Sequence, residues 1–90
     1  MNELEQARSI INEVDADIAK LWEKRMKAVE MVVHYKMEHG LPVLDASREK
    51  QVIERNVQLM QEDRLKAYYE EMLQMMMDIS KKYQKEIMER

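Results

Sequence analysis

Residues 2–42 read NELEQARSIINEVDADIAKLWEKRMKAVEMVVHYKMEHGLP, and this stretch decides the fold. Asn2 with Glu5 three residues later is a helix start. No Gly or Pro then interrupts the chain before Gly40-Leu41-Pro42. Gly40 suits the position just past a last helical turn, and Pro42 blocks continuation. Leu4, Ala7, Ile11, Val14, Ile18, Leu21, Ala28, Val32 and Tyr35 recur at 3–4 spacing, a helical stripe sustained over several heptads. The spacing predicts one helix over about residues 2–39, roughly 55 Å long at 1.5 Å per residue.

The rest of the chain is too short to cover that helix. Asp45 can cap a second helix over about 45–61, carrying Val52, Ile53, Val57 and Met60. Asp63 can cap a third over about 64–88, with a stripe of Leu65, Tyr69, Met72, Leu73, Met76, Ile79, Tyr83 and Ile87. These helices are about 25 Å and 35 Å long. Folded back on the first, they leave part of its apolar stripe in water, which soluble proteins rarely tolerate. A second chain is the economical cover, so the expected architecture is all-α, with three helices per chain in an intertwined homodimer.

Composition agrees. The 90 residues form one small domain, 1–90, with one Gly, one Pro, no Cys and no Phe, 37% charged and 46% hydrophobic. So few turn-formers exclude a β-sandwich or barrel, and the abundant Glu, Lys, Met, Leu, Ala, Arg and Gln favour helix. Absence of Cys excludes a disulfide framework or thiolate metal site and suits a reducing cytoplasm. No apolar run approaches the roughly 20 residues of a membrane span, and the acidic start Met1-Asn2-Glu3-Leu4-Glu5 is not a signal peptide. A net charge of −3 does not suggest a nucleic-acid partner. Starting at Met1, the chain reads as free-standing, and a domain excised from a longer fused protein would read the same. By bulk composition it makes a poor enzyme: small, highly charged, and buried over only about 60% of its unfolded surface.

Polar residues that break the stripes say more. Arg25 occupies a stripe position between Leu21 and Ala28, unfavourable for a guanidinium unless an anion meets it. Lys36, 11 residues on, lies only about 20° off the same face and about 16 Å along it. Arg8, 17 residues before Arg25, is roughly 25 Å away and about 100° round the helix, so it can join Arg25 only from another chain. Asp45, Arg48 and Glu49 fall at i, i+3 and i+4. On the third helix a second stripe, Leu73, Met77, Ser80, Gln84 and Ile87, is broken by Ser80 and Gln84. Cations and hydrogen-bonding groups on apolar faces are the makeup of an internal pocket for a small anion, with Arg supplying bidentate carboxylate recognition. His34 and His39 lie about 140° apart round their helix and do not form a metal pair. Trp22, Tyr68 and Tyr69 are expected in core or dimer contacts.

Arg8, Arg25, Lys36, Pro42-Val43-x-Asp45-x-x-Arg48-Glu49 and Ser80-x-x-x-Gln84 together resemble the all-α (AroQ-type) chorismate mutases. The resemblance covers essentially the whole chain. It implies a dimeric isomerase of aromatic amino acid biosynthesis in the shikimate pathway, converting chorismate to prephenate without metal or cofactor. It further implies that Arg8 of one subunit, with Arg25 and Arg48 of the other, holds the two carboxylates of chorismate. Lys36 and Gln84 would donate to the ether oxygen, Glu49 would accept from the ring hydroxyl with Asp45 supporting that end, and Ser80 would assist a carboxylate. A neutral amide at Gln84 implies activity that changes little between mildly acidic and mildly alkaline pH.

Two other functions fit parts of the pattern. An isochorismate-pyruvate lyase of the same fold uses a similar cationic pocket, but the Asp45-x-x-Arg48-Glu49 run favours the mutase. A non-enzymatic helical dimerisation module would have no pocket and would tolerate loss of Arg25.

Overall fold

The computed structural model describes residues 2–90, so Met1 of the acidic start lies outside the described residues. Those residues are all-helical, without strands: α1 spans Glu3–Glu38, α2 Ala46–Val57 and α3 Lys66–Met88, with a short 3-10 turn, Asp63–Leu65, leading into α3. Among the described residues no helix is long and apolar enough to cross a membrane.

Each helix end has a local cause. Asn2 Oδ1 accepts the Glu5 N–H at 2.8 Å, and Glu3 and Glu5 set negative charge against the positive end of α1. At the other end Gly40 adopts φ 63°, and the Leu41 N–H reaches back to the Lys36 carbonyl at 2.8 Å. This Schellman turn fixes the last turn of α1, and with it Lys36. A Cβ at Gly40 would meet nothing within 4 Å, so only backbone conformation opposes a side chain there. Gly40→Ala should therefore lower stability by about 1 kcal/mol, read as a shift of the urea midpoint; an unmoved midpoint would refute the strain.

Asp45 caps α2 as expected, its Oδ1 accepting the Arg48 N–H at 3.0 Å. Two expectations need correction. The second helix stops at Val57, short of 61, because the Leu59 and Met60 N–H groups turn to the Asn56 and Val57 carbonyls at 3.0 and 3.1 Å. Those i→i+3 bonds tighten the chain out of the α ladder. Asp63 caps nothing, for neither the 3-10 turn nor α3 has a side-chain cap bond. Its carboxylate instead pairs with Lys66 one turn later, at 3.0 Å.

α1 has 36 residues, and the longest dimension of the molecule is 55 Å, so this helix alone sets its length. α1 and α2 each pack on α3. The core is small: Val29 and Val33 from α1, Leu73, Met77 and Ile87 from α3, with Ser80 and Gln84 buried among them. The buried residues of α3 are those of its second predicted stripe. The α1 stripe is a different matter. Leu4, Ile11, Val14, Ile18 and Leu21 remain 46–64% exposed, and Val32 and Tyr35 are exposed too. The residues α1 does bury, Val29 and Val33, each come one position after a stripe member and so lie about 100° round from it. Leu65 of the 3-10 turn, with Tyr68, Met72, Met75 and Ile79 of α3, leaves a second apolar stripe exposed. Trp22 and Tyr68 are exposed rather than core residues, and Tyr69 is half-buried. Tyr83 on α3 donates to Glu30 on α1, tying the two helices together; that carboxylate, chiefly through the hydrogen bond, holds the phenol above its usual pKa.

Candidate active site

Where α1 carries two adjoining apolar faces, Arg25 and Lys36 fall on the seam between them. Counting 100° per residue, both lie between the direction of Val32, which is open, and that of Val29, which is buried. Beside that seam is a cavity of about 270 Å³. Ala28, Val29, Val32, Val43, Val52 and Met77 form its apolar walls. Arg25 and Lys36 enter from α1, Asp45, Arg48 and Glu49 from the start of α2, and Ser80, Lys81 and Gln84 from α3. Seven of the eight residues singled out in the sequence thus line one cavity. The eighth, Arg8, is exposed far up α1, and nothing pairs with it among the described residues.

Hydrogen bonds fix the polar groups while leaving donors over. Lys36 Nζ donates to the Val43 carbonyl at 2.8 Å and reaches Gln84 Oε1 at 3.4 Å. Both acceptors are neutral, so its charge is uncompensated, and an ammonium with three N–H bonds keeps one free. Gln84 Nε2 donates to Ser80 Oγ at 3.3 Å, leaving its second N–H free. Ser80 and Gln84 are 8% and 6% exposed, so these donors are held nearly out of water, where a polar contact counts for more. The guanidinium groups of Arg25 and Arg48 have no acidic partner among the described residues.

Glu49 has a protein partner that its place on α2 does not announce. Its Oε1 lies 2.9 Å from Lys81 Nζ, with Asp78 Oδ1 at 3.5 Å from the same ammonium. The hydrogen bond to Glu49 holds Lys81 above the ordinary lysine value of 10.5, outweighing the opposing effect of burial. Lys81 is the residue that sequence reasoning missed. It sits three before Gln84, one step round the same helix edge, and that i, i+3 relation was the available signal.

The electrostatic sum is informative. Four cations, Arg25, Lys36, Arg48 and Lys81, face two carboxylates, Asp45 and Glu49, so the cavity carries two net positive charges in a chain of net −3. An apolar cleft with a few convergent cations is a site for a small anionic ligand.

A family model described as chorismate mutase type II matches residues 7–85. An all-helical chain with a cation-lined cleft at the junction of its three helices is the class of protein involved, and the chain belongs to the chorismate mutase type II family. Comparison with curated proteins and with solved structures returned no match.

Proposed function

We propose that the protein is a chorismate mutase that acts as a homodimer and catalyses rearrangement of chorismate to prephenate. The cavity charge supports this most directly: two net positive charges and two unpaired guanidinium groups, set against a substrate with two carboxylates. In the reaction the ether C–O bond breaks as a new C–C bond forms within the same molecule. No proton, nucleophile or electron carrier takes part, so the enzyme contributes geometry and electrostatics.

Arg25 and Arg48 hold the carboxylates and select the compact conformer in which the reacting carbons meet, a proximity effect. Lys36 and Gln84 direct their spare N–H bonds at the ether oxygen, where negative charge grows in the transition state. Glu49 accepts from the ring hydroxyl, Asp45 supports that end of the pocket, and Ser80 assists a carboxylate while its Oγ accepts from Gln84 Nε2.

A second chain is supported by the surface. The chain exposes 7547 Å², whereas a compact monomer of 10.9 kDa exposes about 5600 Å². The excess is of the order of one partner's share in an obligate dimer, which buries about 2000–5000 Å² in total. The open stripe of α1 borders the cavity at Val32, so a partner packed on that stripe also walls the site. Arg8 is then delivered from the partner.

The test is to incubate purified protein with chorismate, monitor its disappearance and identify the product. Prephenate formation is the expected result, with kcat/KM nearly constant from about pH 6 to pH 9, since Gln84 needs no protonation to donate. Absence of turnover would exclude the proposal, and pyruvate release from isochorismate would make the protein a lyase of the same fold.

A further inference from the structure

Lys81 lines the cavity, yet its charge is already matched by a carboxylate. We propose that Lys81 is a positioning residue that holds Glu49 fixed against the cavity wall, so that Glu49 can accept the ring hydroxyl of the substrate. The role given to Glu49 rests on the proposed mutase activity; the pairing of Lys81 with Glu49 does not.

Several observations converge on this pair. Its side chains are only 27% and 20% exposed, so water screens it far less than a surface salt bridge. Among the described residues it is the ion pair that joins two helices; the others lie within α3 or the turn before it. Lys81 is held from behind as well, because Asp78 takes up the same ammonium and itself accepts from Gln74 Nε2 at 3.1 Å. Gln74, Asp78 and Lys81 thus form a relay along one edge of α3 ending on Glu49. Glu49 Oε1 is buried, and no other donor reaches it.

The charged groups around Glu49 come from every element at the cavity. Asp45 and Arg48 share the start of α2, Arg25 and Lys36 face it from α1, and Lys81 with Asp78 faces it from α3. Of the cations, Lys36 is engaged by Val43 and Gln84, and Lys81 is at contact distance. Remove the ammonium and a largely buried carboxylate loses the one cation in contact with it while Asp45 and Asp78 remain as nearby anions, so nothing holds it against the cavity wall. Lys81 itself keeps its charge through the neutral range: its pKa is raised, so the pairing is present below that value and is lost only as pH climbs past the ordinary lysine value of 10.5.

The decisive comparison is of kcat and KM for chorismate, with the melting temperature, in wild type, Lys81→Met and Lys81→Arg. Lys81→Arg, which keeps a cation facing Glu49, should stay close to wild type. Lys81→Met should raise KM on the order of tenfold with a much smaller change in kcat, as a carboxylate freed from its partner no longer waits in place for the ring hydroxyl. If Lys81 merely tied α2 to α3, Lys81→Met would lower the melting temperature and leave KM unchanged, and that result overturns the proposal. A second measurement needs no substrate and does not depend on Lys81→Met folding. In ligand-free protein the Lys81 ¹³Cε resonance should titrate above those of the other lysines, and Glu49→Gln should bring it down among them. Identical titrations in wild type and Glu49→Gln would show that the pair does not form. Were wild type to leave chorismate unchanged, the mutase function would fall, while the NMR comparison would still decide whether Lys81 holds Glu49.

Discussion

Lys36→Met is expected to lower kcat about a hundred- to a thousandfold, about 2.7–4 kcal/mol of transition-state stabilisation, with a much smaller change in KM. Its ammonium is positioned before any substrate arrives, by the turn that Gly40 closes, by the Val43 carbonyl at 2.8 Å and by Gln84 at 3.4 Å. A donor already fixed needs little reorganisation during reaction. The charge it meets on the ether oxygen is small in bound chorismate and large in the transition state. Only an interaction that strengthens along the reaction raises kcat, and Lys36 is placed to make one. The opposite kinetic pattern, a raised KM at unchanged kcat, would make Lys36 a carboxylate ligand. Since Met also leaves the Val43 carbonyl without its donor, thermal unfolding of the variant must accompany the kinetics. A melting temperature near that of wild type assigns the loss to chemistry. Arg25→Ala separates an enzyme from an inert helical module: the module tolerates it or gains stability by losing an unpaired charge, whereas the enzyme loses a carboxylate clamp.

The long helix was legible because nothing between Asn2 and Gly40 can break it, and both ends carried their capping residues in plain view. The site was legible for a related reason: Arg25, Lys36, Ser80 and Gln84 are polar where the period asks for apolar, and all four line the cavity. Periodicity shows that a face is apolar but not what covers it. From Arg25 onward α1 has two such faces, and the more regular one, through Ala28, Val32 and Tyr35, is exposed in the single chain, while Val29 and Val33 do the packing. The end of α2 was misplaced because Val57 and Met60 continue the apolar spacing while the Leu59 and Met60 N–H groups have already turned into i→i+3 bonds. Lys81 was missed since one lysine among many on a helix edge looks solvated until the carboxylate from another helix is in place. Bulk charge misled in the same way. A net of −3 concealed a cavity of opposite sign, and only the helical register of the arginines and lysines brings it out.

Mixing inactive Arg8→Ala protein with inactive Arg25→Ala protein should restore about a quarter of the wild-type activity, because a two-fold dimer repeats each contact twice. In the proposed dimer each site takes Arg25 from one chain and Arg8 from its partner. In a mixed dimer, the Arg8→Ala chain retains Arg25 and receives an intact Arg8, so its site is complete; the other site lacks both. Random exchange makes about half the dimers mixed, with one complete site in each. Geometry within one chain forbids the alternative, for 17 residues of unbroken helix separate Arg8 from Arg25 by roughly 25 Å. Exchange has to be driven through dilution or mild denaturant and confirmed by mass, because an intertwined dimer separates slowly. Confirmed mixed dimers with no more activity than either parent would show that Arg8 does not complete its neighbour's site. Recovery near a quarter would establish in one measurement the dimer, the crossing of α1 between subunits, and the last cation of a pocket that one chain leaves open.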